Sequence, residues 1–328
     1  MGRSKSIKYY YGIPHAHTLF STGKGTPYDA YEYAKNKGLN FLAITDHNSY
    51  LSKDITLSHK TLSRWTASNN MIEKFRKKNE DFIPLLGFET KTSPFGDFNI
   101  INCNTYFTGV VRDLRLLILW MINNPDSIVT INHPHKSILN LEYNELLNKL
   151  ITSIEVGNGY FPYKYMRYDK YYYALLDKGW KLGAINSQDN HKINFGDSEN
   201  LTCILANELS KKSIIDAFRK HATFSTESKS LKMNFSINNK PMGSDLTLVD
   251  DKLKFNIFVN DIYYRINSIE IITNNGVIVN KLSNINLNSI KYLYEHRIND
   301  NETWFLIRII QEGKRIGISS PIFINKTL

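Results

Sequence analysis

The chain has 328 residues, of which 42% are hydrophobic and 22% charged, and 41 Lys and Arg against 31 Asp and Glu give a formal net charge of +10. These values are typical of a soluble globular protein with one large domain and a smaller one, and no run of about eighteen apolar residues indicates a membrane span. The positive charge favours a small anionic substrate such as a phosphate ester, although a compositional preference for Lys and Asn would also explain it. Nucleic acid is the alternative partner, but no RNA-binding or helix-turn-helix motif supports it.

Both cysteines, Cys103 and Cys203, lie inside apolar strand-like stretches, and no CxxC spacing occurs. We therefore expect two buried thiols rather than a disulfide or a cysteine-held metal. The N-terminal residues lack the apolar core of a signal peptide. The sequence thus predicts a cytoplasmic protein.

Strand-like apolar runs alternate with helical periodicity from about residue 7 to residue 225. The predicted strands cover residues 7–13, 39–44, 82–88, 98–104, 128–131, 153–156 and 182–185. The clearest predicted helices cover residues 27–38, 110–123 and 163–176. This alternation predicts an α/β fold with a parallel sheet or barrel, in which the active site lies at the carboxyl ends of the strands.

The pattern changes near residue 229, where short runs with period-two alternation begin and continue to the end of the chain. They are separated by turn residues such as Asn274-Asn275-Gly276. This pattern predicts a small antiparallel β-sandwich. We therefore divide the chain into residues 1–228 and 229–328, and we expect no metal ligand in the second part, whose only histidine is His296.

Five clusters of His, Asp and Glu each follow a strand-like run. They are His15-Ala16-His17, Thr45-Asp46-His47, Glu89, His133-Pro134-His135 and Asp189-Asn190-His191. Imidazole and carboxylate groups are the usual protein ligands of zinc, manganese and iron. A single histidine beside a strand end is more often a hydrogen-bonded core residue, but five clusters in series predict a site for two or more ions.

The spacing within two clusters favours shared ligation. His15 and His17 are two residues apart on an extended strand end, so both imidazoles should point to the same side. Asp189 and His191 repeat this spacing after the last predicted strand. Each pair is therefore predicted to reach a common site.

The remaining clusters contribute single side chains. Glu89 closes a strand and can bridge two ions with its two oxygens. Pro134 should hold His133 in an extended conformation. Asp46 is expected to orient a ligand histidine or the attacking water, and the alternative is a hydrogen-bonded aspartate without a catalytic role.

Two cations are candidate substrate contacts. Lys24 lies in a segment of small residues just before a helix start, where backbone N–H groups can receive an anion. Arg219 ends an amphipathic helix, followed by His221, and could form a cationic clamp for the substrate. The alternatives are a solvated loop lysine and an arginine that complements the negative end of the helix dipole.

The ordered motifs resemble the PHP (polymerase and histidinol phosphatase) superfamily, and more closely its CehA/McbA-like branch of metallohydrolases. The motifs are HAHTLFSTGKGTP, GLNFLAITDHNS, GFET, INHPH, IEVGNG, SQDNHKINFGD, FRKHATFSTESKS and ISSPIFI. The resemblance covers nearly the whole chain. It implies a distorted (β/α)7 barrel that holds up to three metals, followed by a small all-β immunoglobulin-like sandwich.

The resemblance also implies a set of ligands for each ion. The first ion would take His15, His17, Glu89 and Asp189. The second would share Glu89 and take His133, and the third would use His47 and His191. Asp46, Glu89 and Asp189 would be the catalytic residues, with two or three divalent ions (zinc, manganese or iron) as cofactors.

Two positions depart from this family pattern. Asp97 stands where many relatives have a histidine ligand of the second ion, and its carboxylate could still ligate, with a preference for manganese or iron. Thr22 stands where relatives supply a carboxylate to the third ion, and it is a poor ligand. His135 could replace the missing ligand or contact the substrate, or it could simply be exposed.

The expected function is hydrolysis of a phosphoester, in which two ions that share Glu89 lower the pKa of a bridging water. The sequence does not distinguish monoesters from diesters. The resemblance leaves two alternatives, a carboxyl or carbamate ester hydrolase of the same fold and a degenerate module that binds a ligand without turnover.

Overall fold

The structure is a computed structural model that describes residues 7–57, 59–160 and 164–325. The strands before residue 229 are β1 (Lys8–Ile13), β2 (Phe41–Ile44), β3 (Asp54–Leu57), β4 (Lys60–Ser63), β5 (Ile83–Thr92), β6 (Gly96–Ile101), β7 (Ile128–Ile131), β8 (Ile151–Asn158), β9 (Met166–Arg167), β10 (Gly183–Ser187), β11 (Leu201–Ala206) and β12 (Thr223–Thr226). The helices are α1 (Pro27–Asn36), α2 (Asn48–Leu51), α3 (Arg64–Arg76), α4 (Leu114–Ile122), α5 (Glu145–Leu150), α6 (Asp169–Asp177) and α7 (Lys211–Arg219). A 3-10 turn covers Lys136–Asn140. This mixed α/β pattern confirms the predicted class.

One sheet orders its first strands as β1, β2, β5, β6, β7, β8 and β10. The pairs β1–β2, β2–β5, β7–β8 and β8–β10 are parallel. After the two outer strands of this series, a parallel bridge joins Ala16 to Asn190. The seven strands of this series agree in number with the predicted (β/α)7 barrel. Closure of the sheet into a barrel depends on the bridge between Ala16 and Asn190, so the closed barrel stays a prediction.

Strand β6 differs from the predicted parallel arrangement, because it runs antiparallel to both β5 and β7. Only residues 93–95 separate β5 from β6, too few for a helical crossover, so the two strands form a hairpin. The hairpin extends β5 to Thr92, and Glu89 therefore lies inside the strand rather than at its end.

Helix α1 begins where the local sequence predicts. Thr26 is the N-cap: its side chain accepts a hydrogen bond from the Asp29 backbone N–H, the Asp29 carboxylate accepts from the Thr26 N–H, and Pro27 follows the cap. Such a cap contributes about 1 kcal/mol to helix stability. The apolar side of the helix, with Ala30 and Tyr31, is fully buried.

Helix α6 is shorter than predicted. Residue 163, where the predicted helix begins, lies outside the described residues, and α6 starts at Asp169. Before it, β9 pairs antiparallel with β8, with Arg167 opposite Gly157. The strand pairing therefore overrides the helical periodicity of this tyrosine-rich segment.

The strands after residue 229 are β13 (Lys232–Ile237), β14 (Lys240–Pro241), β15 (Asp245–Thr247), β16 (Lys252–Asn260), β17 (Ile266–Thr273), β18 (Val277–Leu282), β19 (Ser289–Arg297), β20 (Trp304–Gln311), β21 (Ile316–Ser319) and β22 (Ile322–Asn325). Strands β14, β13, β16 and β19 form a separate sheet in that order. Within residues 229–325, the remaining elements are two 3-10 turns, and no α-helix occurs.

The two parts of the chain share hydrogen bonds and apolar packing. Strand β12 pairs antiparallel with β21, so the sheet of the first part continues through β21, β20, β17 and β18. Trp304 and Leu306 of β20 pack in the same buried cluster as Trp180 and Leu182. The predicted boundary at residue 228 is therefore not a break in the packing. Among the described helices, none is long and apolar enough to cross a membrane.

Candidate metal centre

At least one side chain of each of the five clusters lies at the metal centre, at the carboxyl ends of β1, β2, β7 and β10 or on β5. Two parallel bridges bring neighbouring segments together, one between Ala16 and Asn190 and one between His47 and Glu89. The Ala16–Asn190 bridge is supported by a 2.9 Å hydrogen bond from the His17 N–H to the Asn190 carbonyl. Backbone pairing therefore places residues from distant parts of the chain at one point.

Three groups of potential metal ligands result, each with its ligand atoms within 4.8 Å of one another. They are His15, His17 and Asp189; His15, Glu89 and His133; and His17, His47 and His191. The first two overlap the ligand sets that the family resemblance implies for the first and second ions. Glu89 lies between the groups, with its Oε1 3.3 Å from His133 Nε2 and its Oε2 3.3 Å from His17 Nε2.

A buried carboxylate that the sequence analysis did not single out holds His15. The Nδ1 atom of His15 lies 2.9 Å from Glu155 Oε1, and both side chains are fully buried. A carboxylate oxygen accepts, so Nδ1 donates to it and Nε2 is the nitrogen that faces the site. Carboxylates of this kind fix the tautomer and orientation of a ligand histidine.

His17 is held in the same tautomer by a hydrogen-bonded relay. Asp46 accepts hydrogen bonds from the Thr18 N–H at 2.8 Å, from the Thr18 hydroxyl at 2.6 Å and from the Ser21 hydroxyl. Because the Ser21 hydroxyl donates to Asp46, its oxygen can accept from His17 Nδ1, which lies 3.2 Å away. Asp46 is thus placed to orient His17 through Ser21 rather than to bind an ion.

These contacts leave a set of electron-pair donors that face one another. The Nε2 atoms of His15 and His17 lie 3.1 Å apart and 3.3 and 3.1 Å from Asp189 Oδ1. This Oδ1 is buried and has no hydrogen-bond partner in the described structure. A buried carboxylate oxygen surrounded by imidazole lone pairs is strongly unfavourable without a cation. The residues present therefore fit a divalent ion.

The pKa shifts of the site residues also support a cation at this position. Burial disfavours a charged imidazole, yet the neighbouring carboxylates of Asp189 and Glu89 raise the pKa of His17 to about 9, so a proton on Nε2 takes the place of a cation when no ion is bound. Burial opposes ionisation of Glu89 as well, but His15, His133 and His17 hold the pKa of that carboxyl well below its usual range. The site is thus an environment that stabilises positive charge between ionised carboxylates.

Glu89 is fixed from a second side by Asn132, whose side-chain amide donates a 2.9 Å hydrogen bond to Glu89 Oε1. Asn132 follows β7 and is buried. The sequence analysis did not select Asn132. The available signal for Asn132 and Glu155 was the same, a polar residue within or next to an otherwise apolar buried strand, but such residues are also frequent in ordinary cores.

Backbone strain occurs at two of the candidate ligands. His133 has a φ of 22° and Asp189 a φ of 49°. The expectation that Pro134 holds His133 in an extended conformation is therefore wrong. The backbone N–H of His133 donates a 2.6 Å hydrogen bond to Glu155 Oε2, which stabilises the left-handed conformation of His133. Residues in this region cost of order 1–3 kcal/mol and are often found at functional sites.

The third group contains three imidazoles, and a carboxylate oxygen of the neighbouring group, Glu89 Oε2, lies 2.9 Å from His47 Nδ1. The His17 ring centroid lies 4.5 Å from those of His47 and His191. His191 Nδ1 lies 2.9 Å from the Asp189 carbonyl, which fixes Nε2 as its free nitrogen. Thr22 is exposed.

Asp97 lies close to the centre but outside the three groups. It is half-buried on β6, and burial together with the nearby charge of Glu89 raises the pKa of its carboxyl, while His133 and His47 act in the opposite direction. Its backbone carbonyl accepts a 2.9 Å hydrogen bond from the Asn132 N–H. The structure thus places Asp97 within electrostatic range of the second group.

The predicted substrate contacts have different locations. Lys24 is exposed on the loop that precedes α1. His135 is exposed and its Nδ1 bonds to the Ser137 hydroxyl at 2.8 Å. Arg219 donates to the Pro125 carbonyl, which precedes β7, whereas His133 follows that strand. The structure therefore does not bring Arg219 to the metal centre, because it lies at the opposite end of β7.

Two further histidines that the sequence analysis mentioned, His221 and His296, also lie outside the three groups of potential metal ligands. The Nδ1 of His221 bonds to the Thr152 carbonyl at 2.9 Å, at the beginning of β8. His296 Nε2 lies 2.8 Å from Glu302 Oε2 in the C-terminal part. Each of these two imidazoles therefore bonds to a partner outside the three groups.

Comparison with known proteins gives one family match. The model of the PHP domain matches residues 14–204, which is more than half of the chain. No curated protein matches the chain with significance.

Among solved structures, a two-domain protein from Bacteroides vulgatus, described as containing a predicted PHP-like metal-dependent phosphoesterase, is similar in fold. It is 16% identical, covers 93% of this chain and 90% of its own, and has a TM-score of 0.54. PsfC from Pseudomonas syringae is 11% identical over 60% of this chain and 82% of its own, with a TM-score of 0.39. A candidate metal-dependent phosphoesterase from Bifidobacterium adolescentis is 13% identical over 62% of this chain and 94% of its own, with a TM-score of 0.39.

Proposed function

The chain belongs to the PHP domain family, and on that premise we propose that it is a metal-dependent phosphoesterase of the CehA/McbA-like branch. Family membership and the three His/Asp/Glu groups support a metal-dependent hydrolase in general. The observation that carries the proposal is the convergence of the His15 and His17 Nε2 atoms, at 3.3 and 3.1 Å, on the buried Asp189 Oδ1, whose neighbouring donor atoms among the described residues are all histidine nitrogens.

The proposed ligands follow from the groups. His15, His17 and Asp189 would hold one ion, and Glu89 and His133, grouped with His15, would hold a second. Asp97, which lies outside the three groups, would add a ligand to the second ion. His47 and His191 would hold a third. Zinc, manganese or iron in these positions would lower the pKa of a coordinated water and neutralise charge on phosphoryl oxygens.

The chain's own residues prepare this chemistry. Glu155 and the Asp46–Ser21 pair fix the two histidines with their Nε2 atoms toward the site. Asn132 fixes the Glu89 carboxylate between the groups. Because Glu155, Asp46 and Asn132 are buried, the ligands need little reorganisation when substrate binds, which is the condition for efficient electrostatic catalysis.

A cytoplasmic location is part of the proposal. It is supported by the two cysteines, which are both free and buried, because structural thiols in this state are typical of a reducing compartment.

The test combines metal analysis with kinetics. Purified protein is loaded with zinc, manganese or iron, its bound metal is counted by mass spectrometry, and hydrolysis of a phosphomonoester and a phosphodiester is measured. We expect at least two ions per chain and turnover of one ester class. Glu89→Gln and His133→Ala should abolish turnover and lower the metal content while leaving the circular dichroism spectrum unchanged.

Two matched variants serve as controls. Glu270→Gln removes a buried carboxylate that pairs with Arg308, and His296→Ala removes a histidine that bonds to Glu302, both outside the three groups. They should keep the metal content. Protein that binds no metal would contradict the proposal and favour a degenerate module, and loaded protein that cleaves carboxyl or carbamate esters instead would establish the alternative hydrolase.

A further inference from the structure

A cavity opens beside the metal centre on the side of β10. Its volume is about 710 Å³, and it shares Asp189 and His191 with the ligand groups. This volume lies in the range of sites for small organic ligands. The side chains at its wall include Asn158, Tyr160, Gln188 and Asn194, which place polar groups within a lining whose larger share is apolar surface.

Two lysines, Lys164 and Lys192, also line the cavity and are exposed. Within residues 7–57, 59–160 and 164–325, neither forms an ion pair. The carboxylate of Asp197, at the same wall, is already occupied, because it contacts Lys37 Nζ at 2.6 Å and accepts from the Tyr33 hydroxyl at 3.0 Å. The carboxylate of Asp189 belongs to the metal groups. The uncompensated charge of this cavity is therefore positive.

Hydrogen bonds hold several polar side chains at or next to the cavity wall. The Tyr160 hydroxyl donates to Asn194 Oδ1 at 2.7 Å, and Asn190 Nδ2 donates to the same oxygen at 3.0 Å. Gln188 is fixed as well, because its Nε2 donates to the Ser198 carbonyl at 2.7 Å. These hydrogen bonds fix the polar groups before a ligand binds, which lowers the cost of ordering the site on binding.

We propose that this cavity receives the organic part of the phosphoester and that Lys164 and Lys192 bind a second anionic group on it. The inference rests on the proposed function, because the phosphoryl group would occupy the metal centre. It defines the substrate class as a polar phosphoester that carries a further carboxylate or phosphate away from the bond that is cleaved.

The test separates binding from turnover by using phosphonates, which are not hydrolysed. The probes are ω-carboxyalkyl phosphonates with a spacer of two to six methylenes and the corresponding neutral carboxamides. Binding to the metal-loaded protein is measured by calorimetry. The best carboxylate probe should bind about tenfold more tightly than its carboxamide, as expected for two exposed ion pairs.

The variants assign this preference to the two lysines. Lys164→Gln and Lys192→Gln should each reduce the preference about threefold, and the double variant should abolish it. Lys78→Gln changes the net charge equally but removes an exposed lysine near the end of α3, outside the cavity lining, and should leave the preference intact.

Equal affinity for both probe types, absence of binding, or a preference that survives the double variant would overturn the inference. The proposed function is judged separately by hydrolysis of the simple phosphoesters. A protein that hydrolyses them but shows no carboxylate preference would keep its function and lose this substrate class.

Discussion

At the scale of single residues, one buried carboxylate supports ligands of two groups. Glu155 Oε1 lies 2.9 Å from His15 Nδ1, and its Oε2 accepts from the His133 N–H at 2.6 Å and from Asn158 Nδ2 at 2.7 Å. Both oxygens are therefore needed as acceptors. A glutamine at this position would have to turn its NH2 group toward a donor on one of the two sides.

We therefore predict that Glu155→Gln lowers the affinity for metal by about 10- to 100-fold, the usual effect of losing a support of this kind. The fold should persist, because the substitution retains the volume of the side chain. Equilibrium titration with metal, followed by mass spectrometry of the bound ions, measures the effect. Glu270→Gln is the matched control, and equal metal affinity in the two variants would show that Glu155 is only a core residue.

A second prediction concerns the third group. Thr22→Asp should add a carboxylate to the group of His17, His47 and His191, which has no carboxylate member of its own, so both the metal content and the phosphatase activity should rise. Thr22→Asn, which has the same shape without the charge, should change neither. If Thr22→Asp also changes neither, the third site is already complete through another ligand such as His135, and our interpretation of Thr22 is mistaken.

At the scale of elements, the turn between α7 and β12 contains a titratable group away from the metal centre. His221, with a φ of 50°, lies there against the start of β8. Burial lowers its pKa to about 4; the nearby Asp245 acts in the opposite direction and Lys181 in the same direction. The folded state therefore holds this imidazole neutral over a range in which the unfolded chain binds a proton.

The pH dependence follows from this difference. Because the unfolded state binds more protons between the ordinary histidine pKa and about 4, stability should fall as the pH falls through that window, by up to about 2 kcal/mol between pH 7 and pH 5. His221→Asn keeps a donor and tolerates positive φ but does not titrate. Urea unfolding of both metal-free proteins at the two pH values should show a smaller loss for the variant, and equal losses would contradict the assignment.

At the scale of the whole molecule, the two parts of the chain are joined by one sheet and by shared apolar contacts. The Nε1 atom of Trp304 donates to Asp177 Oδ1 at 3.0 Å, and its ring stacks on Tyr173 at a centroid distance of 5.8 Å. Trp304 belongs to the second part, whereas Asp177 and Tyr173 lie on α6. Unfolding of one part would thus expose the core of the other.

We predict that the full chain unfolds in a single calorimetric transition and that Trp304→Ala lowers its midpoint without splitting it. The free energy of unfolding should fall by about 3–5 kcal/mol, as for other buried large-to-small substitutions. Leu293→Ala, at a position that is 74% exposed, is the control and should have little effect. Two transitions, of which the substitution shifts only one, would indicate two independent folding units.

The sequence alone determined the α/β class, the seven strands β1, β2, β5, β6, β7, β8 and β10 and the candidate metal ligands, because these depend on local information. Apolar runs give buried strands, and a ligand must be a residue such as His, Asp or Glu. The motif resemblance to the PHP superfamily agreed with the family match over residues 14–204.

The tertiary structure alone decided what depends on contacts between distant residues. Glu155 and His15 are separated by 140 positions, so no local pattern marks their hydrogen bond. The antiparallel direction of β6 and the left-handed backbone of His133 likewise follow from pairing and from the Glu155 contact. Arg219 looked like a substrate contact in the sequence, but only the packing of α7 beside the loop before β7 placed it away from the centre. Local residue types therefore specify which groups can bind metal, whereas the long-range packing specifies which of them meet.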